Sequence, residues 1–199
     1  MVRSSPEDLA ESYHRARSGC VIIDRSAVGR IWAHGPDRLD LLHRLSTNNL
    51  NGMTQHEGRP TVLTTPLGRI VDYLLVLNLD KRALLLTSPG KSEAVQQWLC
   101  GFIFFQDDVT LQAATTELGQ YGLYGAQASS VASQLAGAAS KLPPHHALPL
   151  GENAWLLRGA APAGFGYELV APPPLMQHCI ARAIEAGAVV APAGLHELL

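Results

Sequence analysis

Apolar residues alternate with polar ones in a series of short segments along this chain, which is the pattern of half-buried β-strands. We predict strands at 20–24, 29–34, 61–64, 70–79, 83–87, 109–113, 118–124, 155–158 and 166–170. Apolar residues at helical spacing, with start and stop residues around them, predict helices at 5–17, 37–45, 88–101, 126–135 and 173–186. Hairpins interleaved with helices, without a repeating strand–helix–strand order, predict an α+β fold.

The composition is that of a folded globular chain. Hydrophobic residues make up 47% of the 199 residues and charged residues 16%, with a formal net charge of -2. Acidic and basic residues are interspersed, which argues against nucleic-acid and membrane partners. The longest apolar run, 73–77, is too short to cross a bilayer. The N-terminal residues include acids and lack an apolar core, so we predict no secretory or transit signal and a cytoplasmic location.

The spacing of cysteine and histidine gives no indication of a metal site. Cys20, Cys100 and Cys179 lie far apart, and we predict that each is a small core residue in a reducing compartment. His145 and His146 are adjacent within the proline-rich segment 141–149, so their rings point in different directions. We therefore interpret this segment as a connecting loop.

Two further patterns have a structural interpretation and a chemical one. The segment GFGYEL at 164–169 lacks the strand–turn–helix context of a dinucleotide site, so we predict that its glycines permit close backbone approach. Asp107 and Asp108 precede a strand; paired carboxylates can perform acid–base chemistry, but a turn at the strand edge is the favoured interpretation. From these residues alone, the chain is an α+β protein without an assigned activity.

Three blocks of sequence follow one another in the order seen in a known family. IDRSAVGRIWAHGPDRLDLLHRLSTNN, at 23–49, matches a stretch that ends in Thr-Asn-Asp, with Asn49 in place of the final aspartate. EGRPTVLTTPLGRIVDYLLVLN, at 57–78, matches a hairpin built on Gly-Gly-Ile or Gly-Arg-Ile followed by Asp. RGAAPAGFGYEL, at 158–169, matches the segment Arg-Thr-Gly-Tyr-Thr-Gly-Glu-x-Gly-Tyr-Glu-Leu. The chain thus resembles the glycine-cleavage T-protein (aminomethyltransferase)/YgfZ folate-binding superfamily.

This resemblance implies interlocked antiparallel sheets with flanking helices around a central channel that holds tetrahydrofolate. It implies that 1–199 is a folate-binding region of two intertwined subdomains, without the C-terminal barrel domain found in family members. The final letters, AGLHELL, resemble the start of the next family helix. A truncated chain and a naturally short one both remain open.

Two positions depart from the T-protein pattern. T-proteins have two successive aspartates after Gly-Gly-Ile, the second being credited with the key role near the folate, whereas this chain has Asp72 and Tyr73. T-proteins also place a pterin-contacting glutamate where this chain has Gly164. A phenol with an ordinary pKa of about 10 does not replace a carboxylate at neutral pH, and glycine offers no side-chain acceptor. The resemblance therefore argues against standard aminomethyl transfer and gives no catalytic residue.

The resemblance implies seven candidate residues for folate binding. They are Arg69, Asp72, Tyr73, Ser88, Arg158, Tyr167 and Glu168. Asp72 lies either on the solvent face of an amphipathic strand or in the channel. Because neighbouring residues of a strand point to opposite faces, only one of Asp72 and Tyr73 lines the channel; we favour Tyr73, whose ring could stack on a flat ligand.

The other candidates each have a structural alternative. Arg69 either reaches the anionic tail of folate or closes a turn. Ser88 stands where T-proteins have an asparagine near the pterin, and it also suits the N-cap of a helix that begins at Pro89. Arg158 and Glu168 could form an ion pair across their hairpin.

Three functions follow from this resemblance. The Gly-Arg-Ile hairpin favours a YgfZ-type folate-binding accessory protein that acts in the assembly or repair of iron–sulfur proteins, with such proteins as partners. The Lys-Gly-Cys-Tyr-x-Gly-Gln signature of that branch is not in these residues. The alternatives are a tetrahydrofolate-dependent aminomethyltransferase and a noncatalytic subunit similar to the gamma subunit of sarcosine oxidase.

Overall fold

The computed structural model describes residues 10, 14, 16–161 and 164–191. They form two compact units. The split unit combines the described residues up to Ser26 with those from Gly119 onward, and the inserted unit comprises Ala27–Leu118. The inserted unit is therefore contained in sequence between the two parts of the split unit.

The elements follow the chain in an irregular alternation of strands and helices. The strands are β1 Cys20–Asp24, β2 Val28–His34, β3 Gly58–Thr64, β4 Ile70–Leu79, β5 Arg82–Pro89, β6 Thr110–Ala113, β7 Gly119–Tyr124, β8 Ala147–Gly151, β9 Ala154–Ala161, β10 Gly164–Ala171 and β11 Ala188–Val190. The helices are α1 Arg38–Arg44, α2 Ser92–Cys100, α3 Ala128–Leu135 and α4 Pro173–Glu185, with one 3₁₀ turn at Ala139–Lys141. The predicted α+β class is confirmed.

The inserted unit is an antiparallel sheet covered on one face by helices. Its strand order is β3-β4-β5-β2-β6. Alternate apolar residues of the central strands point to one face and pack with apolar residues of α1 and α2. This core includes Ile31, Leu74, Val76, Leu85, Leu42, Val95 and Leu99. Burying each such side chain contributes about 2 kcal/mol to the free energy of unfolding.

The split unit contains a second sheet of six described strands, in the order β11-β1-β7-β10-β9-β8. Its strand pairs are antiparallel except for β1 with β11. The apolar face packs against α3 and α4 through Ile22, Leu123, Leu156, Leu169, Val131 and Met176. The two described sheets are open, and no closed barrel is present among the described residues.

Two of the differences from the sequence prediction have a direct structural cause. The helix predicted from residue 88 begins at Ser92, because Ser88 and Pro89 extend β5 and Pro89 pairs with Val28 of β2. The predicted loop 141–149 ends in a strand, because Ala147 pairs with Leu157. The start of the helix predicted at 5–17 and the helix predicted from AGLHELL lie outside the described residues, although 16–18 are helical.

The cysteines are only partly as predicted. Cys20 and Cys179 are buried, and burial raises the pKa of the Cys20 thiol to about 12, which keeps it protonated. Cys100 is exposed at the end of α2, so its predicted place in the core is wrong. Among the described residues, no helix is both long and apolar enough to cross a membrane.

A buried tyrosine in the split unit lies over two glycines. A Cβ placed on Gly122 or Gly166 would lie 2.3 Å and 2.4 Å, respectively, from ring atoms of Tyr124. Gly122 precedes Tyr124 by two residues on the same face of β7, and Gly166 lies on the neighbouring β10. The predicted role of the GFGYEL glycines in close approach is confirmed at Gly166, where the approaching group is an aromatic ring.

This packing yields a stability prediction. Gly166→Ala forces a methyl group into the Tyr124 ring and toward the Leu123 carbonyl oxygen, 3.0 Å away. We expect this overpacking to lower the free energy of unfolding by about 1–3 kcal/mol, measured by urea denaturation. Gly137→Ala is the matched control, because no atom lies within 4 Å of a Cβ at that exposed site. Equal urea midpoints for the two variants would refute the packing argument.

Candidate functional site

The candidate residues divide between the two units. Arg69, Asp72, Tyr73 and Ser88 belong to the inserted unit, where they lie on β5, on β4 and in the turn that precedes β4. Arg158, Tyr167 and Glu168 belong to the split unit, on β9 and β10.

A β-bulge at the start of β4 determines where its residues point. Asp72 pairs with Leu63 of β3 and Ile70 pairs with Thr64, so Val71 is an extra residue between them. Tyr73 pairs with Val62, and Ile70 pairs with Thr64, two residues further along β3. Residues two apart on a strand share a face, so Ile70 and Tyr73 lie on the same face, opposite the helix-covered core. The bulge thus places two exposed apolar side chains on the face opposite the helices at this end of the sheet.

Burial distinguishes the two neighbours that replace the family's pair of aspartates. Asp72 is only 5% exposed, on the face of Leu74 and Val76, so its predicted alternative position on a solvent face is wrong. Tyr73 is 60% exposed. The two side chains lie on opposite faces of β4, and of the two only Tyr73 is exposed to a ligand.

The buried carboxylate holds the neighbouring strand in place. Oδ2 of Asp72 accepts a hydrogen bond from the backbone N–H of Ser88 at 3.0 Å, and within the described part of the chain this is its one hydrogen bond. Ser88 in turn donates its hydroxyl to the carbonyl oxygen of Tyr73 at 3.4 Å. The N-cap role predicted for Ser88 is wrong, because its backbone N–H belongs to this link between β4 and β5.

Arg69 closes the β3–β4 turn through its backbone and leaves its side chain exposed. Its N–H donates to Oγ1 of Thr65 at 3.1 Å, and its carbonyl accepts from the N–H of Thr65 at 2.8 Å. The exposed guanidinium is available to bind an anion. We call Arg69, Ile70, Tyr73 and Ser88 the Tyr73 platform: an exposed aromatic ring, an exposed aliphatic side chain, a cation and a hydroxyl on adjoining positions.

Glu168 in the split unit is engaged by its own sheet. One carboxylate oxygen accepts the Tyr124 hydroxyl, and the other accepts the side-chain N–H of Gln120 at 3.1 Å. Burial, and secondarily the Glu168 carboxylate, raises the pKa of Tyr124, so its hydroxyl stays a donor. Arg25 donates to the same hydroxyl oxygen at 3.2 Å. This network joins β7, β10 and the residue that follows β1.

Tyr167 and Arg158 also make structural contacts. Tyr167 is buried in the split-unit core, and its hydroxyl contacts Oγ of Ser129 at 3.3 Å and the Ala139 carbonyl oxygen at 3.2 Å. Nη1 of Arg158 donates a hydrogen bond to the carbonyl oxygen of Leu142 at 2.7 Å, the residue that follows the 3₁₀ turn.

The predicted ion pair between Arg158 and Glu168 does not fit this register. Arg158 pairs with Tyr167, and Glu168 pairs with Leu157. Adjacent positions of a strand project to opposite faces, so the two charged side chains leave the hairpin on different sides. The pairing prediction is therefore wrong.

Sequence reasoning missed Tyr124 and Gln120, which hold the Glu168 carboxylate. The available signal was the pair of glycines, Gly122 and Gly166, which are the positions without a side chain beneath a large ring. No spacing rule links Gln120 to a residue 48 positions later, because the strand order brings them together.

Comparison with known proteins places the chain in a family. The profile of the GCVT N-terminal domain matches residues 3–198, so the chain belongs to the GCVT N-terminal domain family. A protein of Arabidopsis thaliana described as a candidate chloroplastic transferase is 30% identical over 118 residues, covering 59% of this chain and 27% of that protein. The aminomethyltransferase of Chlorobium luteolum is 28% identical over 120 residues, covering 59% and 33%. The chain spans about a third of the length of these relatives.

Two solved structures share the fold. The glycine cleavage system aminomethyltransferase T from Bartonella henselae superposes with a TM-score of 0.83 at 17% identity, covering 97% of this chain and 53% of that chain. A chain of the heterotetrameric sarcosine oxidase from Corynebacterium sp. U-96 superposes with a TM-score of 0.61 at 15% identity, covering 94% and 95%. At these identities the likeness establishes the fold alone.

The Asp72–Ser88 link predicts a stability effect. Asp72→Ala leaves the Ser88 N–H without its acceptor, which should lower the free energy of unfolding by about 1–3 kcal/mol. Asp40→Ala removes a half-exposed carboxylate of the same unit and should cost no more than about 0.5 kcal/mol. Urea denaturation of both variants measures the difference. An equal loss in the two would show that the link does not stabilise the strand pair.

Proposed function

We propose that this chain binds a reduced folate, tetrahydrofolate, at the Tyr73 platform of the inserted unit. The observation that supports this most directly is the exposure of Tyr73 near the start of β4, which follows the exposed Arg69. Membership in the GCVT N-terminal domain family makes folate the expected ligand class.

The platform has the chemistry that a folate needs. A pterin is flat, so it can stack on the Tyr73 ring with Ile70 beside it. The glutamate tail is anionic and suits the guanidinium of Arg69. The Ser88 hydroxyl lies beside the backbone carbonyl of Tyr73 and offers one polar contact to the edge of the pterin ring. In this proposal Asp72 is a positioning residue, since it fixes the backbone of Ser88 from the opposite face.

The same residues favour binding without aminomethyl transfer. Tyr73 and Gly164 stand where T-proteins have acidic side chains, so neither offers a carboxylate beside the bound folate. A phenol is not a substitute for a carboxylate as a proton acceptor. Against this stands the name aminomethyltransferase on several relatives, which keeps transferase activity as the alternative.

Within the family, we favour an accessory role of the YgfZ type in the assembly or repair of iron–sulfur proteins. The support is the Gly68-Arg69-Ile70 hairpin and the two missing acidic positions. A second candidate is a noncatalytic subunit of a larger enzyme. One observation favours it: the superposition with the sarcosine oxidase chain covers nearly the whole length of both that chain and this one.

Calorimetric titration with tetrahydrofolate tests the proposal. We expect saturable one-to-one binding, weakened about tenfold by Tyr73→Ala because a stacked ring contributes about 1.4 kcal/mol. Arg69→Ala should weaken folate binding but leave binding of 6-methyltetrahydropterin, which lacks the glutamate tail, unchanged. Phe105→Ala removes another exposed aromatic side chain of the same unit and should change neither affinity.

Two results would contradict the proposal. Absence of saturable binding at high micromolar folate would remove folate as the ligand, and an unchanged affinity in Tyr73→Ala would move the site elsewhere. Release of a one-carbon unit to tetrahydrofolate from an aminomethylated lipoyl carrier protein would instead establish the transferase alternative.

A further inference from the structure

The turn that follows α2 exposes two phenylalanines. Phe105 is fully exposed and Phe104 is 56% exposed, in a unit whose other large apolar side chains are mostly buried. Phe102, two residues earlier, packs instead against Trp98 with the ring centroids 4.7 Å apart. The exposure is therefore confined to the tip of the turn.

Hydrogen bonds close this turn from both ends. The backbone N–H of Asp107 donates to the Phe104 carbonyl at 3.0 Å, and the backbone N–H of Phe104 donates to Oδ2 of Asp107 at 2.9 Å. Phe105 and Gln106 occupy the two central positions. The two bonds fix the backbone on either side of Phe105.

Arg44 of α1 clamps the turn to the helical layer. Its Nη1 and Nη2 donate to the two carboxylate oxygens of Asp107 at 3.2 Å and 2.8 Å, and Nη1 also donates to Asp40 at 2.8 Å. Its guanidinium carbon lies 5.8 Å from the centroid of the Phe104 ring. The Asp107 side chain is only 6% exposed, so this bidentate pair is shielded from water on the carboxylate side.

The charges around the turn are mostly acidic. Asp108 is exposed within it and Asp40 is exposed beside it, and Asp37 accepts the backbone N–H of Asp108 at 2.9 Å. The guanidinium of Arg44 contacts the turn and forms ion pairs with both Asp40 and Asp107. A complementary surface therefore needs an apolar pocket with a rim of lysine or arginine.

We propose that this element, the Phe105 turn (101–109), is a docking site for another protein that has an apolar pocket rimmed by basic residues. The hydrogen bonds order the turn before binding, so little conformational entropy is lost when Phe105 enters a pocket. A large aromatic side chain at the centre of a contact is the usual anchor of a protein interface. A second copy of this chain fits poorly, because its acidic residues would face those of the first.

Site-specific photocrosslinking identifies the partner and tests the surface. The full chain, expressed in its native host, has p-benzoylphenylalanine at position 105 or, as the control, at position 67, where Leu67 is an exposed apolar residue of another turn. We expect one heterologous adduct specific to position 105. No adduct beyond that at position 67, or an adduct between two copies of this chain, would overturn the proposal.

Binding of the purified captured protein completes the test. We expect Phe105→Ala to weaken its affinity at least tenfold and Leu67→Ala to leave it unchanged. Asp40→Asn combined with Asp108→Asn should weaken binding at low salt and reduce its dependence on salt, as expected for a basic partner rim. An unchanged affinity in Phe105→Ala would refute the docking role. Because no folate is present in this experiment, its failure leaves the folate proposal untouched.

Discussion

The candidate site depends on the alternation of side chains between the two faces of β4 and on the one β-bulge, at Val71, that interrupts this alternation. Side chains of a strand point to opposite faces in turn, so a buried Asp72 requires an outward Tyr73. The extra residue at Val71 then brings Ile70 to the face of Tyr73. Without the bulge, Ile70 would fall on the face of Asp72 and the platform would lose its aliphatic member.

Burial of Asp72 has its own consequence for the sheet. A carboxylate in an apolar core is costly unless it is hydrogen-bonded, and here the partner is the backbone N–H of Ser88. The bond lies where β5 continues through Ser88 and Pro89, and α2 begins only at Ser92.

The sequence predicted most of the fold because the fold follows from local patterns. The alternation in 70–79 and the helical spacing in 37–45 each identified an element, and those elements are present as β4 and α1. The helix start at Ser88 was wrong because serine before proline is a capping signal, whereas here Ser88 bonds to Asp72 and Pro89 pairs with Val28 in the sheet. Local propensity contains no information about those contacts.

The candidate site was less predictable, for a related reason. Alternation separated Asp72 from Tyr73 correctly but could not show which face is covered, since that depends on where α1 and α2 pack. For Arg158 and Glu168, proximity in sequence suggested a pair that the register of β9 and β10 separates. A one-residue offset between paired strands decides such contacts, and composition does not reveal it.

The two exposed surfaces of the inserted unit lie on different layers and have opposite chemistry. The Tyr73 platform lies at the exposed start of β4, on the sheet face opposite the helices, and contains a cation, whereas the Phe105 turn is held by α1 in the helical layer and is surrounded by acids. An anionic ligand is attracted to the first and repelled by the second, and the reverse holds for a basic partner. The two proposed ligands, a small anion and a basic protein, therefore do not compete for the same surface. Any coupling between them must pass through the sheet, where β4 contributes Tyr73 to one face and Leu74 to the core that supports α1.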